Sequence, residues 1–185
     1  MDTLTKIRII GGKWRGRKLN VIEAPGLRPT PDRIRETLFN WMNKKIINAR
    51  CLDLFSGTGA LSFEALSRGA SEVTMVESNP SIVKNLIKTA DILESKHHYI
   101  ECVDAISWLR RQTRSFNIIF LDPPFGQGHV EKCCQIIYEQ SLLDNDGIIY
   151  IESEKDMDIP SVFKINKITY TKQVQSVLAE LNREN

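Results

Sequence analysis

Cysteine is scarce and unpatterned in this 185-residue chain. The four are Cys51, Cys102, Cys133 and Cys134. None forms a C-x-x-C pair and two are adjacent, so neither a zinc knuckle nor a disulfide framework is suggested. Cys51 and Cys102 fall in expected strands and read as small buried hydrophobes. Histidine is equally sparse, and His97, His98 and His129 build no serine–histidine–acid set and no metal cluster. No apolar run approaches the ~20 residues a membrane helix needs. The opening Met1-Asp2-Thr3-Leu4-Thr5-Lys6 lacks the charged-then-apolar layout of a secretory signal. Together these absences lead to an expected reduced, cytoplasmic location with no membrane partner.

Net charge is almost missing too, at +2. That excludes an acidic solvating tail and a histone-like polycation. The total hides an asymmetry. Residues 1–50 hold 12 basic and 4 acidic side chains, whereas residues 51–185 hold 13 basic and 19 acidic. A basic N-terminal part sits on a mildly acidic body. With 42% hydrophobic and 26% charged residues, the chain fits one globular domain, or one domain with a small appendage.

Residues 6–22 are basic and β-branched, interrupted by Gly11-Gly12 and Gly16, and read as a β-hairpin arm. Pro25-Gly26, Pro29 and Pro31 make residues 23–31 a turn-rich linker. Thr30 is placed to cap a helix with Pro31 at its first position. Ile34, Leu38, Trp41 and Met42 share one face of that helix, which runs to about Lys45. From residue 50 onward strands and helices alternate. The expected strands are 51–55, 72–76, 98–103, 116–121 and 147–151. The expected helices are 59–68, 80–91, 104–111 and 130–139. Two further β segments follow, 163–170 and 174–181. Apolar strands alternating with helices mean a parallel sheet covered on both faces, with an antiparallel hairpin closing one edge. The expected division is 1–29 for the arm and linker and 30–185 for the α/β domain.

Three segments carry chemistry. In Asp53-Leu54-Phe55-Ser56-Gly57-Thr58-Gly59, a strand runs into a glycine turn and then a helix. Such a turn lets a ligand approach the backbone. Glu77 follows at the end of the next strand, where a carboxylate can accept from a ribose diol. This pairing serves dinucleotide and adenosylmethionine sites alike. Ser62 stands where the dinucleotide pattern has its third glycine, which disfavours NAD. Next, Asp104-Ala105 ends the third strand, where Asp104 can meet an adenine amine or cap the following helix. The most specific segment is Asp122-Pro123-Pro124-Phe125. Two prolines remove backbone donors, leaving an aspartate and a carbonyl as an acceptor pair for an exocyclic amine. Holding both amino hydrogens turns the nitrogen lone pair toward an electrophile, and Phe125 can stack on a base.

The glycine loop, Glu77, Asp104 and the Asp-Pro-Pro-Phe tetrad resemble a class I adenosylmethionine-dependent methyltransferase of the amino-methylating group. Arg8-Ile9-Ile10-Gly11-Gly12-Lys13-Trp14-Arg15-Gly16-Arg17-Lys18-Leu19 and the segment from Gly26 to Trp41 narrow the resemblance. They are similar to the bacterial RsmD family, which methylates the exocyclic amine of a guanine in 16S ribosomal RNA. The resemblance weakens at Lys172-Gln173-Val174, which leads into Gln175-Ser176-Val177-Leu178 where the family has aromatic residues.

The resemblance implies a Rossmann-like, mostly parallel seven-stranded sheet and S-adenosyl-L-methionine as cofactor. It implies that Phe55, Ser56, Gly57, Thr58 and Gly59 lie against the methionine part, with Asp53 just before them. It sets Glu77 against the ribose and Asp104 and Ala105 against the adenine. Thr30, Arg33 and Arg35 then belong to the helix covering the cofactor, where either arginine can pair its carboxylate. Asp122, Pro123, Pro124 and Phe125 are the expected catalytic set. Lys13, Arg15, Arg17 and Lys18 flank Trp14 and are the expected RNA-binding set, cations for phosphate and an indole for an unpaired base. The expected partner is 16S ribosomal RNA, within an assembling small subunit, met by a monomer. Two other readings stay open: an adenine or cytosine amino-methyltransferase on DNA or RNA, and a non-catalytic RNA-binding factor.

Overall fold

The computed structural model describes residues 6–22 and 30–182. Most of the turn-rich linker, including Pro25-Gly26 and Pro29, lies outside the described residues, as does the Gly26–Pro29 part of the second family-like segment.

The arm is a hairpin of β1 (Lys6–Arg8) and β2 (Lys18–Asn20), paired antiparallel with Ile7 opposite Leu19. A single 3₁₀ turn, Gly12–Trp14, lies between them. The first helix, α1, runs Asp32–Trp41. Its apolar stripe Ile34, Leu38 and Met42 is buried as the spacing requires, while Trp41 is only half-buried. It starts after Pro31 and ends four residues short of the expected Lys45. There the chain turns, and Lys45 donates to the Asp146 carbonyl (2.7 Å).

The body alternates as expected: β3 (Arg50–Asp53), α2 (Ala60–Ser67), β4 (Glu72–Glu77), α3 (Pro80–Ile92), β5 (His98–Cys102), α4 (Ala105–Leu109), β6 (Phe116–Leu121), α5 (His129–Glu139), β7 (Leu143–Glu154), β8 (Phe163–Tyr170) and β9 (Val174–Leu181). The seven strands of the body order as β5-β4-β3-β6-β7-β9-β8. β5 through β7 are parallel, and β9 and β8 add antiparallel. Strand alternation splits the core in two. Cys51, Met75, Phe120 and Tyr150 face α1, α2, α3 and the arm. Leu52, Val76, Leu121 and Ile151 face α4 and α5. β7 is far longer than expected at both ends, because the polar residues Asp144-Asn145-Asp146 before its apolar run and Glu152-Ser153-Glu154 after it hide the strand in the sequence. Its pairing to β9 (Glu152 opposite Ser176, Glu154 opposite Val174) keeps the later end extended. Cys102 is exposed, against expectation, because β5 is an edge strand whose sheet neighbour is β4 alone.

The arm is bound to the body by a buried carboxylate. Glu64 on α2 is fully buried. It accepts the backbone N–H groups of Ile10 and Gly11 (2.8 Å each) and the Arg68 guanidinium (2.6 Å). Arg35 of α1 lies 3.5 Å away. Beside it the Ser67 hydroxyl accepts from the Trp14 N–H and donates to the Gly11 carbonyl. Gly12 approaches so closely, at φ +76°, that a Cβ would sit 1.8 Å from the Ser67 carbonyl oxygen.

A buried pair broken on one side is strongly destabilising, because the remaining charge is left unpaired. Glu64→Gln is therefore expected to lower the unfolding free energy by about 3 kcal/mol or more. The exposed control Glu36→Gln is expected to change it by less than about 0.5 kcal/mol. Urea unfolding followed by circular dichroism measures both.

Candidate active site

In the sheet the strand order reverses between β3 and β6, and clefts form outside the carboxyl ends of strands at such a point. A cleft of about 850 Å³ opens there. Its walls come from the loop after β3, the ends of β4 and β6, the start of α1, and β7 and β9.

The glycine loop is built by local hydrogen bonds. Gly59 N–H donates to the Ser56 carbonyl (2.7 Å), and the Ser56 hydroxyl donates to the Asp53 carbonyl (3.0 Å). Gly57 and Gly59 both have positive φ (49° and 76°), a conformation glycine adopts without strain. A Cβ on Gly59 would also meet Phe63 at 2.5 Å. Glu77 accepts from Gly57 N–H (3.1 Å) and Asn79 N–H (2.8 Å) while lining the cleft. A carboxylate has about four acceptor sites, so capacity for a diol remains. Asp104 both lines the cleft and caps α4, accepting from Ser107 N–H (2.8 Å). That bond holds its carboxyl below the usual range. The two sequence readings of Asp104 therefore describe one geometry.

Asp122 directly follows β6. Thr30 donates a hydroxyl to it (3.4 Å), so Thr30 does not cap α1 as expected but joins the cleft wall to the tetrad. Pro123 is buried, and Phe125 is 40% exposed at the rim. Beyond them, Phe55 packs edge-on against His129 (5.3 Å between ring centres).

The family model described as conserved hypothetical protein 95 matches residues 7–181. The ribosomal RNA small subunit methyltransferase D of Escherichia coli K12 is 45% identical over 157 residues, covering 85% of this chain and 79% of its own. That of Haemophilus influenzae is 41% identical, covering 82% and 80%. A solved E. coli methyltransferase structure superposes with a TM-score of 0.89 at 40% identity, covering 96% of this chain and 99% of its own. An RNA methyltransferase structure from Pyrococcus horikoshii, 19% identical with a TM-score of 0.67, shares the fold. The chain belongs to the ribosomal RNA small subunit methyltransferase D family.

Within this family frame, most of the expected site converges. Thr30, Asp53, the Phe55–Thr58 loop, Glu77, Asp104, Ala105 and the Asp122–Phe125 tetrad all border the cleft. Three expected residues do not. Gly59 is buried behind the loop. Arg33 points to solvent from α1. Arg35 is the clear correction: it is fully buried, donating to the Arg8 carbonyl (2.9 Å) and to Asp32 (2.6 Å). It is a structural cation, because the Glu64 carboxylate beside it must be balanced. Trp14 is corrected likewise. It is buried in the core with Lys13 over its ring (4.2 Å), so its indole is not offered to a base.

The cleft also holds residues that sequence reasoning passed over. Glu152 is the main one; its signal is a carboxylate following an apolar run, and the apolar pattern that marks the strand stops at residue 151. His129, given no role by the sequence, is another. It opens α5 after the left-handed Gly128 (φ 64°) and lines the cleft.

Among the described residues the cleft lining holds no lysine or arginine, and the electrostatics of Asp53 and Asp122 are set by burial and by their acidic neighbours. Burial, with Glu77 adding, pushes Asp53 up to about 7, against the opposing bond from Ser62 (2.5 Å). The Ser62 hydroxyl thus holds Asp53 from the first turn of α2. Burial, then Glu152 and Asp53, raise Asp122 well above the ordinary carboxyl range. In the unfolded chain Asp53 releases its proton near 3.8. Its raised folded value therefore adds stability that is complete in acid and is lost as pH rises toward about 7. Asp53→Asn is expected to flatten that decline, whose slope per group is at most about 1.4 kcal/mol per pH unit. Urea midpoints of both proteins at acid and neutral pH test this; parallel profiles contradict it.

Proposed function

We propose that the chain transfers a methyl group from S-adenosylmethionine to the exocyclic N2 amine of a guanine in 16S ribosomal RNA. The observation that carries this reading is the donor-poor wall Asp122–Phe125, set across one cleft from a glycine loop and Glu77. The donor set fits the cofactor. Glu77 suits the ribose diol and Asp104 the adenine amine, while Ile82, Val103 and Ala105 line the same cleft with apolar surface for the ring faces. When bound, the cofactor supplies an electrophilic methyl group on a sulfonium.

The chain's own residues do the rest. The Asp122 carboxylate and Pro123 carbonyl accept the two amino hydrogens and aim the nitrogen lone pair into the cleft. Phe125, exposed at the rim, stacks on a base turned out of its helix. The amine sheds one proton on methylation. Asp122, whose burial raises its proton affinity, is placed to receive it. Positioning is the main contribution, since a weakly basic amine needs orientation more than a strong base.

The RNA reading of the arm keeps Lys13, Arg15, Arg17 and Lys18, all exposed, and drops Trp14. Arg17 donates to the Ile92 carbonyl at the end of α3 (2.7 Å), whereas Asn79 and Ile82 at the start of α3 line the cleft. Arm and cleft are therefore separated by roughly the ~18 Å that twelve residues of helix span. Exposed Lys84 and Lys88 lie one turn apart between them. A folded RNA or an assembling subunit offers phosphates over such a distance. One chain supplies the whole cleft, so a monomer suffices. Among the described residues no helix is long and apolar enough to cross a membrane.

Labelled methyl transfer to small-subunit RNA, followed by digestion to nucleosides, is expected to yield N2-methylguanosine; methylated adenosine contradicts the reading. Asp122→Ala is expected to cut turnover by about 100-fold while leaving cofactor affinity intact. Neutralising Lys13, Arg15, Arg17 and Lys18 together is expected to weaken RNA binding. The same change is expected to reduce its log–log salt slope by about 3 without altering cofactor binding. An unchanged slope makes the arm purely structural.

A further inference from the structure

We propose that Glu152 is the residue that selects guanine, accepting its ring N1–H while Asp122 holds the neighbouring amine. This rests on the amino-methylation reading above and adds the base selection that the tetrad alone lacks.

The argument begins with register. Leu121 of β6 pairs with Ile151 of β7, and both face the α4–α5 side. The next residues, Asp122 and Glu152, therefore turn to the opposite face, and both line the cleft. Adjacent strands lie ~4.8 Å apart, so two carboxylates stand side by side on one wall. That spacing is comparable to the edge of a purine.

Two features hold Glu152 as an acceptor. The buried Tyr150 hydroxyl donates to its Oε2 (2.7 Å), fixing the carboxylate from below. Ser176, opposite Glu152 on β9, lines the same cleft and backs Tyr150. Among the described residues no lysine or arginine lines the cleft. With one hydroxyl on each, from Thr30 and Tyr150, the two carboxylates keep acceptor sites that suit a ligand with two adjacent hydrogen-bond donors.

Base chemistry then decides. Adenine places its amine next to an N1 acceptor, and cytosine places its amine next to an N3 acceptor. Either would set a ring lone pair against the Glu152 carboxylate. Guanine alone among the amino bases sets a ring N–H donor beside its exocyclic amine. Acceptor beside acceptor thus matches donor beside donor, and it repels the two alternatives. A site built to hydrogen-bond a donor rejects an analogue lacking it strongly, because its buried polar groups are left unpaired.

The test uses the whole enzyme and ribosomal RNA assembled into small subunits. At the methylated position, ligated RNA carries either guanine or 2-aminopurine, which keeps the amine but replaces N1–H with an acceptor. The wild-type kcat/KM is expected to favour guanine by on the order of 100-fold. In Glu152→Gln the preference is expected to fall below about 10-fold. In Glu152→Asp, which keeps the carboxylate, much of the preference is expected to return. A general loss of structure lowers both substrates equally and leaves their ratio unchanged, so the ratio reads recognition. A wild-type enzyme indifferent to the analogue overturns the inference, and so does a Glu152→Gln enzyme with the full preference. Either result with N2-methylguanosine still formed defeats Glu152 alone. Methyl found on another base defeats the function itself.

Discussion

The Glu64 carboxylate is the contact on which the rest of the arrangement depends. A buried charge persists only if it is paired and hydrogen-bonded. Glu64 meets that demand by drawing in three separate parts of the chain. The arm gives two backbone N–H groups, α1 gives Arg35, and the residue that ends α2 gives the Arg68 guanidinium. Satisfying one carboxylate thereby fixes the hairpin and the first helix on the body. The consequence reaches the active site, because the start of α1 carries Thr30, Pro31 and Ile34 into the cleft wall.

At the other end of the same helices the electrostatics are reversed. Asp53, Asp122 and Glu152 crowd the carboxyl edge of the sheet, and among the described residues no lysine or arginine lines the cleft. Burial and mutual repulsion raise the proton affinity of Asp53 and Asp122. Each of the three acids accepts a neighbouring hydroxyl, from Ser62, Thr30 and Tyr150 respectively, and a crowd of carboxylates suits a ligand that brings further donors. The cations are placed elsewhere, on the arm and along α3, where a phosphate backbone can be met without entering the cleft.

The charge asymmetry of the sequence takes on a sharper meaning here. Part of the basic excess before residue 50 is structural. Arg35 is buried as the counter-charge of Glu64, and Arg17 closes the end of α3. Of the exposed cations, Lys13, Arg15, Arg17 and Lys18 share a short stretch with Trp14, whose indole is buried in the core. One residue, Cys102, shows the same limit on a smaller scale. It has strand neighbours and apolar character, yet its exposure is decided by β5 lying at the edge of the sheet.

The sequence by itself determined the alternation of strands and helices, the glycine loop with Glu77, and the tetrad at Asp122. These features are local: periodicity, turn chemistry and the loss of backbone donors at proline act over a few neighbouring residues. Only the tertiary structure decided that Arg35 faces inward, that Trp14 is core, that Thr30 joins Asp122, and that Glu152 stands beside it. Each depends on a partner between 29 and 92 positions distant in the chain. Burial and strand register set such pairings, and no window of sequence contains both members. The same reason explains why the acceptor wall was half legible: Asp122 announces itself through its prolines, whereas Glu152 is defined only by the strand beside it.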